Sequence, residues 1–296
     1  MNQQKKIIEN ITKKWLFLVS LTTLVILIGI FFLLFFTGIK AFSEISLFEF
    51  FFGTNWNPTA YHEPSWGIFS LFIGTLMVTF GSLAFAIPLG IMSAIYLAEI
   101  ASPKVREIVK PTIEMIAGIP SVVLGLIGLL FLSPLIAKLF GLSSGLTGLT
   151  SSIVVGIMVL PTIISISEDV ITSLPREFKE ASLALGATKW QTIKMVLVPA
   201  SLSGIVAAIM LGLGRAVGET IVVLMLAGNS RAFPTSIFDS VRPMTANIAI
   251  EIKEVIRGGL HYKSLFAIGL VLFLMTFLIN FISDLIIDKH VKKYKW

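Results

Sequence analysis

Cysteine is absent from the 296 residues. That excludes disulfides and cysteine-ligated metal sites, and it leaves the compartment open. Charge is scarce: Asp, Glu, Lys and Arg make up 14% of the chain, where soluble domains carry about 25%. No Gly-Lys dipeptide occurs anywhere, so the chain has no P-loop to cradle nucleotide phosphates. Its histidines, His62, His261 and His290, stand far apart without ligand spacing, and no metal site is expected. The stretch Gly141 to Gly145, GLSSG, fits the G-x-S-x-G pattern of serine hydrolases. It lies in a short connection between two apolar runs rather than at a strand–turn–helix, and reads as a flexible turn.

What is present is apolar. Hydrophobic residues make up 55% of the chain, in recurring runs of roughly 20, each long enough for a helix to cross a ~30 Å hydrocarbon core. The fold class this predicts is an all-α polytopic membrane protein with six transmembrane helices, at about 16–38, 67–98, 111–136, 149–170, 201–227 and 263–287. The first run is too long for a signal-peptide core and lacks a cleavage site, so it is expected to stay. A net charge of +6 in a soluble protein points to nucleic acid, but here its placement argues for a membrane. Fifteen of the 23 lysines and arginines fall on the side of the two termini, seven on the other side, and Arg215 within a span. That bias places both termini in the cytoplasm of a cell-membrane protein. Three regions follow: 1–66 with the first span and an outer loop, a core of five spans at 67–287, and a basic tail at 288–296.

The outer loop at 39–66 is rich in aromatics, and Phe50, Phe51, Phe52, Trp56, Tyr61 and Trp66 suit an element at the membrane interface. The last outer loop, 228–262, is polar and reads equally as a partner surface or a solvated connection. Pro88 and Pro161 lie within spans, as packed kinks do. The run Ala117 to Ser121, AGIPS, is either another kink or a break that turns the helix N-terminus at Ser121 toward a pore, where free N–H groups favour an anion.

The most expensive stretch is Leu211 to Thr220, LGLGRAVGET. A charge at mid-bilayer costs at least ~2.5 kcal/mol and must face protein or water. Four residues apart on one helix, Arg215 and Glu219 are expected to share a face and pair. Either the pair neutralises itself to help assemble the bundle, or Arg215 lines a path and offers its fork to an oxyanion, with Glu219 preventing a trap. Gly212, Gly214 and Gly218 add room for a second helix, the last two as a small-xxx-small step.

Between the fourth and fifth runs, Ser173 to Gly204 contains two short helical patterns. One starts beside Pro175 and stops at Gly186. The other starts at the capping-box spacing of Thr188 and Gln191 and is expected to end near Pro199. Phe178, Ala181, Ser182 and Leu185 fall at helical spacing and form a small apolar knob, fit either for a partner's groove or for packing under the chain's own spans.

Glu180-Ala181-Ser182, then Gly186 and Pro199, resemble the EAA loop of permease subunits in binding-protein-dependent ABC importers. Ser182 replaces the second alanine, and Val196 and Val198 stand where isoleucine and leucine are usual. Further stretches, including EMIAGIPSVVLGLIGL, LGLGRAVGETIVVLMLAGN and LHYKSLFAIGLVLF, are similar to the phosphate importer permeases over about residues 65–285, and to the PstC type more than to PstA. The resemblance implies the type I importer permease fold and a translocation path shared with a PstA-like second permease. It also implies a PstB-like ATPase dimer docked on 173–200, an extracytoplasmic PstS-like phosphate-binding protein, and membrane lipid around the bundle. It assigns ATPase coupling to Phe178, Glu180, Ala181, Ser182, Leu185 and Gly186. ATP and Mg would be held by the partner ATPase, and this chain would hold no cofactor and catalyse no reaction. The alternatives are a permease for sulfate or molybdate, a stand-alone channel or secondary transporter, and a membrane-anchored scaffold.

Overall fold

The computed structural model describes residues 3–293. Among the described residues, six helical segments are long and apolar enough to cross a membrane: Ile11–Ser43, Phe69–Ile100, Ser121–Phe140, Gly148–Thr172, Lys189–Gly218 and Leu260–Ser283. Six crossings return the chain to its starting side, here called the terminal end. The basic tail expected at 288–296 lies outside the residues whose side chains are described.

Helix α1 (Gln3–Gly38) leads through a 3-10 turn into α2 (Leu47–Phe52) and a two-stranded hairpin. Its strands β1 (Trp56–Asn57) and β2 (Ser65–Trp66) pair antiparallel with Trp56 opposite Trp66. The second span, α3 (Phe69–Ile95), ends in a π turn at Tyr96–Ile100, and α4 (Pro103–Ala117) follows it at the terminal end. The third span is broken into α5 (Ser121–Ile127), a π turn and α6 (Ser133–Phe140), and the fourth is α7 (Gly148–Thr172). The helices α8 (Arg176–Ala184) and α9 (Lys189–Thr192) lead through another π turn into α10 (Val198–Gly218). Beyond α10 lie α11 (Ile221–Leu226), α12 (Met244–Glu251) and the last span, α13 (Leu260–Lys293).

Lipid tails are as apolar as leucine, so burial alone does not drive spans together; close packing and small residues do. The α3–α7 contact follows that rule. A Cβ on Gly156 would meet Phe85 at 2.9 Å, and one on Gly90 would meet Ile163 at 2.7 Å. The core around it joins Val78, Leu83 and Ala86 to Val155, Met158, Val159 and Ile163, with Val222 and Leu226 of α11 closing the far side. On α10, Gly212 fits against α7, where an added Cβ would lie 2.7 Å from Val159. Gly214 and Gly218 behave otherwise: none of the described residues comes within 4 Å of a Cβ at either position. The expected small-xxx-small step is therefore not filled among the described residues.

Three boundaries differ from the sequence expectation. Residues 111–117 belong to α4, not to the third span, because Gly118 and Pro120 end that helix and the next begins at Ser121. The helix through 189–218 does not stop near Pro199. A π turn at Ile193–Leu197 precedes the proline, and this wider turn absorbs a residue whose ring and missing N–H would break a regular α-helix. The expected fifth span of 201–227 in turn breaks after Gly218, where Glu219 is extended at φ −66° and ψ 126°.

The end opposite the termini carries a second core, which corrects two further expectations. Phe50 and Trp56 are fully buried and Trp66 nearly so, while Phe52 and Tyr61 stay exposed. Only part of the aromatic segment thus has an interfacial position. The 228–262 loop is not a solvated connection: Val241, Met244, Ala246 and Asn247 are buried. The two segments meet at Glu251, nearly enclosed at 4% side-chain exposure. Its carboxylate accepts from Trp56 Nε1 at 2.9 Å and lies 2.8 Å from His261 Nε2. Arg242 and Arg231 reach its other oxygen at 3.2 and 3.3 Å. Burial pushes the Glu251 carboxyl up, but the hydrogen bonds from His261 and Trp56 and the charges of His261 and Arg231 outweigh it and hold the group below its ordinary value.

Two predictions follow from this packing. Because the Glu251 pKa is depressed, its contribution is full above 4.5, the ordinary glutamate value, and is lost as pH falls through the lower folded value. Tryptophan fluorescence is expected to report loosening of this end on acidification, and Glu251→Gln to remove that pH dependence. In thermal unfolding of the purified chain, Gly212→Val is expected to cost about 1–3 kcal/mol by overpacking, whereas Gly218→Ala is expected to cost nothing of the kind.

Candidate functional site

Helix α10 presents two faces. Ala208, Gly212 and Ala216 are buried, and Gly212 is the close approach to α7. On the opposite face Leu211 is 58% exposed, and no described atom lies within 4 Å of a Cβ built on Gly214 or Gly218. Arg215, two turns beyond the buried Ala208, is half-buried and stands at the border between the face packed on α7 and this open one. Its Nη1 donates to Thr162 Oγ1 of α7 at 3.4 Å. This long contact is the one hydrogen bond it makes among the described residues, and most of its five donors are free for another acceptor.

The expected Arg215–Glu219 pair does not form. The helix ends between the two residues, so i,i+4 geometry no longer applies. Glu219 instead turns to the next segment. Its Oε1 accepts from the Val222 N–H at 3.1 Å, capping α11, and its backbone carbonyl accepts from Thr245 at 3.0 Å. The break at residues 219–220 thus separates a capping carboxylate from an uncompensated guanidinium. Ser121 does begin a helix, α5, as the break-and-restart reading expects, with Pro120 at its N-cap and no side-chain cap. It makes no hydrogen bond to Arg215 or Glu219 among the described residues. The helix it starts packs on α11 instead, with Gly125 fitted to Met225.

The second candidate surface is the α8–α9 corner at the terminal end. The capping box forms as expected: Thr188 Oγ1 accepts from Gln191 N–H at 3.3 Å, and Gln191 Oε1 accepts from Thr188 N–H at 2.8 Å. Gly186 makes the turn at φ +83°, a left-handed conformation that glycine adopts without a steric penalty. Leu185 is 89% exposed, and Phe178, Glu180 and Ala181 also face outward. Ser182 does not. It is buried, with Oγ 3.0 Å from Thr192 Oγ1, so it fastens α8 to the start of the fifth span rather than joining the outward knob. Lys179 Nζ also donates to Glu99 Oε2 at 2.6 Å, tying α8 to the π turn that ends the second span.

Charge is also gathered where α7 ends. Glu168 is completely enclosed and is bridged by Arg106 and by Lys110, the latter at 2.5 Å. Lys110 also pairs with Asp169. Partial burial lowers the Lys110 ammonium, but the hydrogen bonds and charges of Asp169 and Glu168 hold it above its ordinary value. Sequence reasoning gave no structural role to Thr162, Glu168 or Glu251. For Glu168 a signal existed, an acidic pair at the end of an apolar run. Thr162 meets its partner Arg215 on another helix, and Glu251 is capped by Trp56 from a distant segment.

A family model described as a binding-protein-dependent transport system inner membrane component matches residues 86–296. The chain is 42% identical over 243 residues to the probable ABC transporter permease protein YqgH of Bacillus subtilis (strain 168), covering 81% of this chain and 78% of that protein. It is 35% identical over 279 residues to the phosphate transport system permease protein PstC of Mesorhizobium japonicum, covering 88% and 84%. Among solved structures, a chain of a bacterial ABC transporter involved in the import of the acidic polysaccharide alginate superposes with a TM-score of 0.62 at 15% identity, covering 96% of this chain and 99% of that one. A chain of the MetNI methionine ABC transporter in inward-facing form gives 0.56 at 20% identity, covering 76% and 94%. At such identities these structures speak for the fold alone.

Proposed function

The chain belongs to the binding-protein-dependent transport system inner membrane component family, and on that premise we propose that it is the PstC-type permease subunit of an ATP-driven inorganic phosphate importer. As a family member it is a multi-pass inner-membrane transport subunit, not itself an enzyme, and it works with an ATPase and a binding protein. Phosphate, the path residues and the identity of each partner are our reading.

One observation carries it. Arg215 stands half-buried at the edge of the open face of a membrane-spanning helix, with a single long hydrogen bond among the described residues. A guanidinium cannot face hydrocarbon without a cost of ~2.5–3.5 kcal/mol or more. The face must therefore meet water or another protein, which is where a path between two permease subunits would run. Its planar fork suits a tetrahedral oxyanion. Gly214 and Gly218 keep that face free of side chains, so the anion or the PstA-like partner can approach the backbone. Glu219, engaged at the cap of α11, leaves Arg215 available while keeping a negative charge near the same break. That balance favours binding weak enough to release. The similarity to PstC over most of both chains supports phosphate as the oxyanion.

In this reading the terminal end is cytoplasmic. The exposed Phe178, Glu180, Ala181 and Leu185 enter a groove of the PstB-like ATPase, which binds ATP and Mg, while Gly186 and the Ser182–Thr192 contact hold the corner in shape. A PstS-like protein would deliver phosphate at the opposite end.

Arg215→Ala is expected to lower phosphate uptake by the reconstituted complex roughly 10- to 150-fold, the worth of about 1.5–3 kcal/mol of charged hydrogen bonding, with copurification of all subunits unchanged. Uptake at the normal rate would refute the path-lining role, and failure to assemble would assign Arg215 to bundle structure. Competition by sulfate as strong as by phosphate would point to another oxyanion. Leu185→Glu is expected to abolish ATPase copurification without shifting the thermal unfolding of the isolated chain, since Leu185 is exposed within it.

A further inference from the structure

Glu168 has no place in the path or the docking corner, yet its side chain is wholly enclosed and fully engaged. Its Oε1 meets Arg106 and accepts from Thr172 Oγ1 at 3.1 Å, and its Oε2 meets Lys110 at 2.5 Å. Arg106 also donates to Thr172 at 3.2 Å. Arg106 and Lys110 lie one turn apart on α4, so a single helix face takes hold of both carboxylate oxygens. Glu168 itself is in the last turns of α7, just before the loop that starts at Ser173.

Helix α4 has no buried residue of its own. On one side Arg106 and Lys110 brace it against α7. The same two residues also border a cleft of about 680 Å³ at the tail of the second span, with Leu97, Ala98 and Ala101 on one wall and Arg106, Lys110, Glu107 and Glu114 on the other. The helix is thus fastened to the fourth span by side chains that also line the cleft beside the second. Its far end runs through Gly118 and Pro120 directly into Ser121, where the third span begins.

We propose that Glu168 is a positioning residue of the transport cycle: with Arg106 and Lys110 it forms an ionic clamp that makes α4 follow the end of the fourth span, so that movement of the 173–188 loop reaches the start of the third span. A clamp of this kind does not slip gradually, because separating the groups leaves an unpaired charge in an enclosed site. The second span is linked to the same loop by a different contact, Lys179 with Glu99, so the loop has separate connections to the two sides of the cleft. The inference rests on membership of the importer family and not on which substrate is carried.

The absence of cysteine makes the test direct. Val122→Cys, exposed at the start of the third span, supplies the only thiol of this chain in the assembled complex in proteoliposomes. A membrane-impermeant maleimide reads its accessibility with and without ATP and vanadate. In the Glu168→Gln background the ATP-induced change in labelling rate is expected to shrink roughly 2- to 30-fold, the range over which residues modulate coupling between sites. ATPase copurification and ATP hydrolysis are expected to persist. Adding Arg106→Gln and Lys110→Gln is expected to cost less than the sum of the separate losses, because the groups share one contact; the part that remains is the Lys110–Asp169 pair. An unchanged ATP response in Glu168→Gln would overturn the proposal, as would additive losses. If Glu168→Gln does not assemble, Lys110→Gln, which leaves Arg106 on the carboxylate, decides: a reduced response in an intact, hydrolysing complex supports the clamp, and a normal response overturns it. Phosphate uptake by the unmutated complex, measured alongside, tests the substrate assignment separately.

Discussion

Inside hydrocarbon a charge must have a partner or water, and the arrangement of this chain depends on how that demand is met at three places. Glu168 is enclosed between cations of another helix, and Glu251 between basic groups of its own segment and Trp56 from far along the chain. Arg215 is half-buried at the edge of an open face, with one long hydrogen bond among the described residues. The first two hold the ends of the bundle in register. The third is structurally unfinished, and this contrast makes it the candidate for contact with something outside the chain. An enclosed carboxylate with three or four partners has little left to offer a ligand, whereas a guanidinium with free donors has most of its capacity remaining.

Around these charges the bundle is organised by α7. It packs on α3 through glycines and small side chains, receives Gly212 of α10, and closes the core with α11. Helix α1 leans chiefly on α13 and buries none of its most apolar window, as suits a helix facing lipid. The largely exposed third span lies on the α11 side of this core, where α5 packs on α11.

The π turns show how the chain reconciles regular helices with bends. The one at Ile193–Leu197 carries the helix into Pro199, and the one at Tyr96–Ile100 places Glu99 where Lys179 can reach it. Both contact the α8–α9 corner, so the compliant turns lie where movement of that corner would enter the spans. A period-based reading of the sequence treats proline as a stop, which is why the expected end near Pro199 differs from the continuous helix. The widened turn depends on neighbouring helices supporting it, and that support is invisible in a local window.

Much was legible in the residues themselves. The number of spans, the α8–α9 corner with its capping box, the left-handed turn at Gly186 and the restart at Ser121 all follow from local rules of length, hydrogen bonding and steric freedom. The cost of a charge in an apolar run also singled out Arg215 before any neighbour was known. Other features required the tertiary structure. Whether Arg215 and Glu219 pair depends on a helix continuing through Gly218, and contacts from Val222 and Thr245 settle that it does not. Which glycines pack depends on which face meets α7. Whether Phe50 and Trp56 face lipid or core depends on a loop nearly two hundred residues away, which brings Glu251 beneath them. Sequence determines what a short segment prefers; only the assembled bundle decides which partner satisfies each polar group, because the partners are brought together by packing rather than by proximity along the chain.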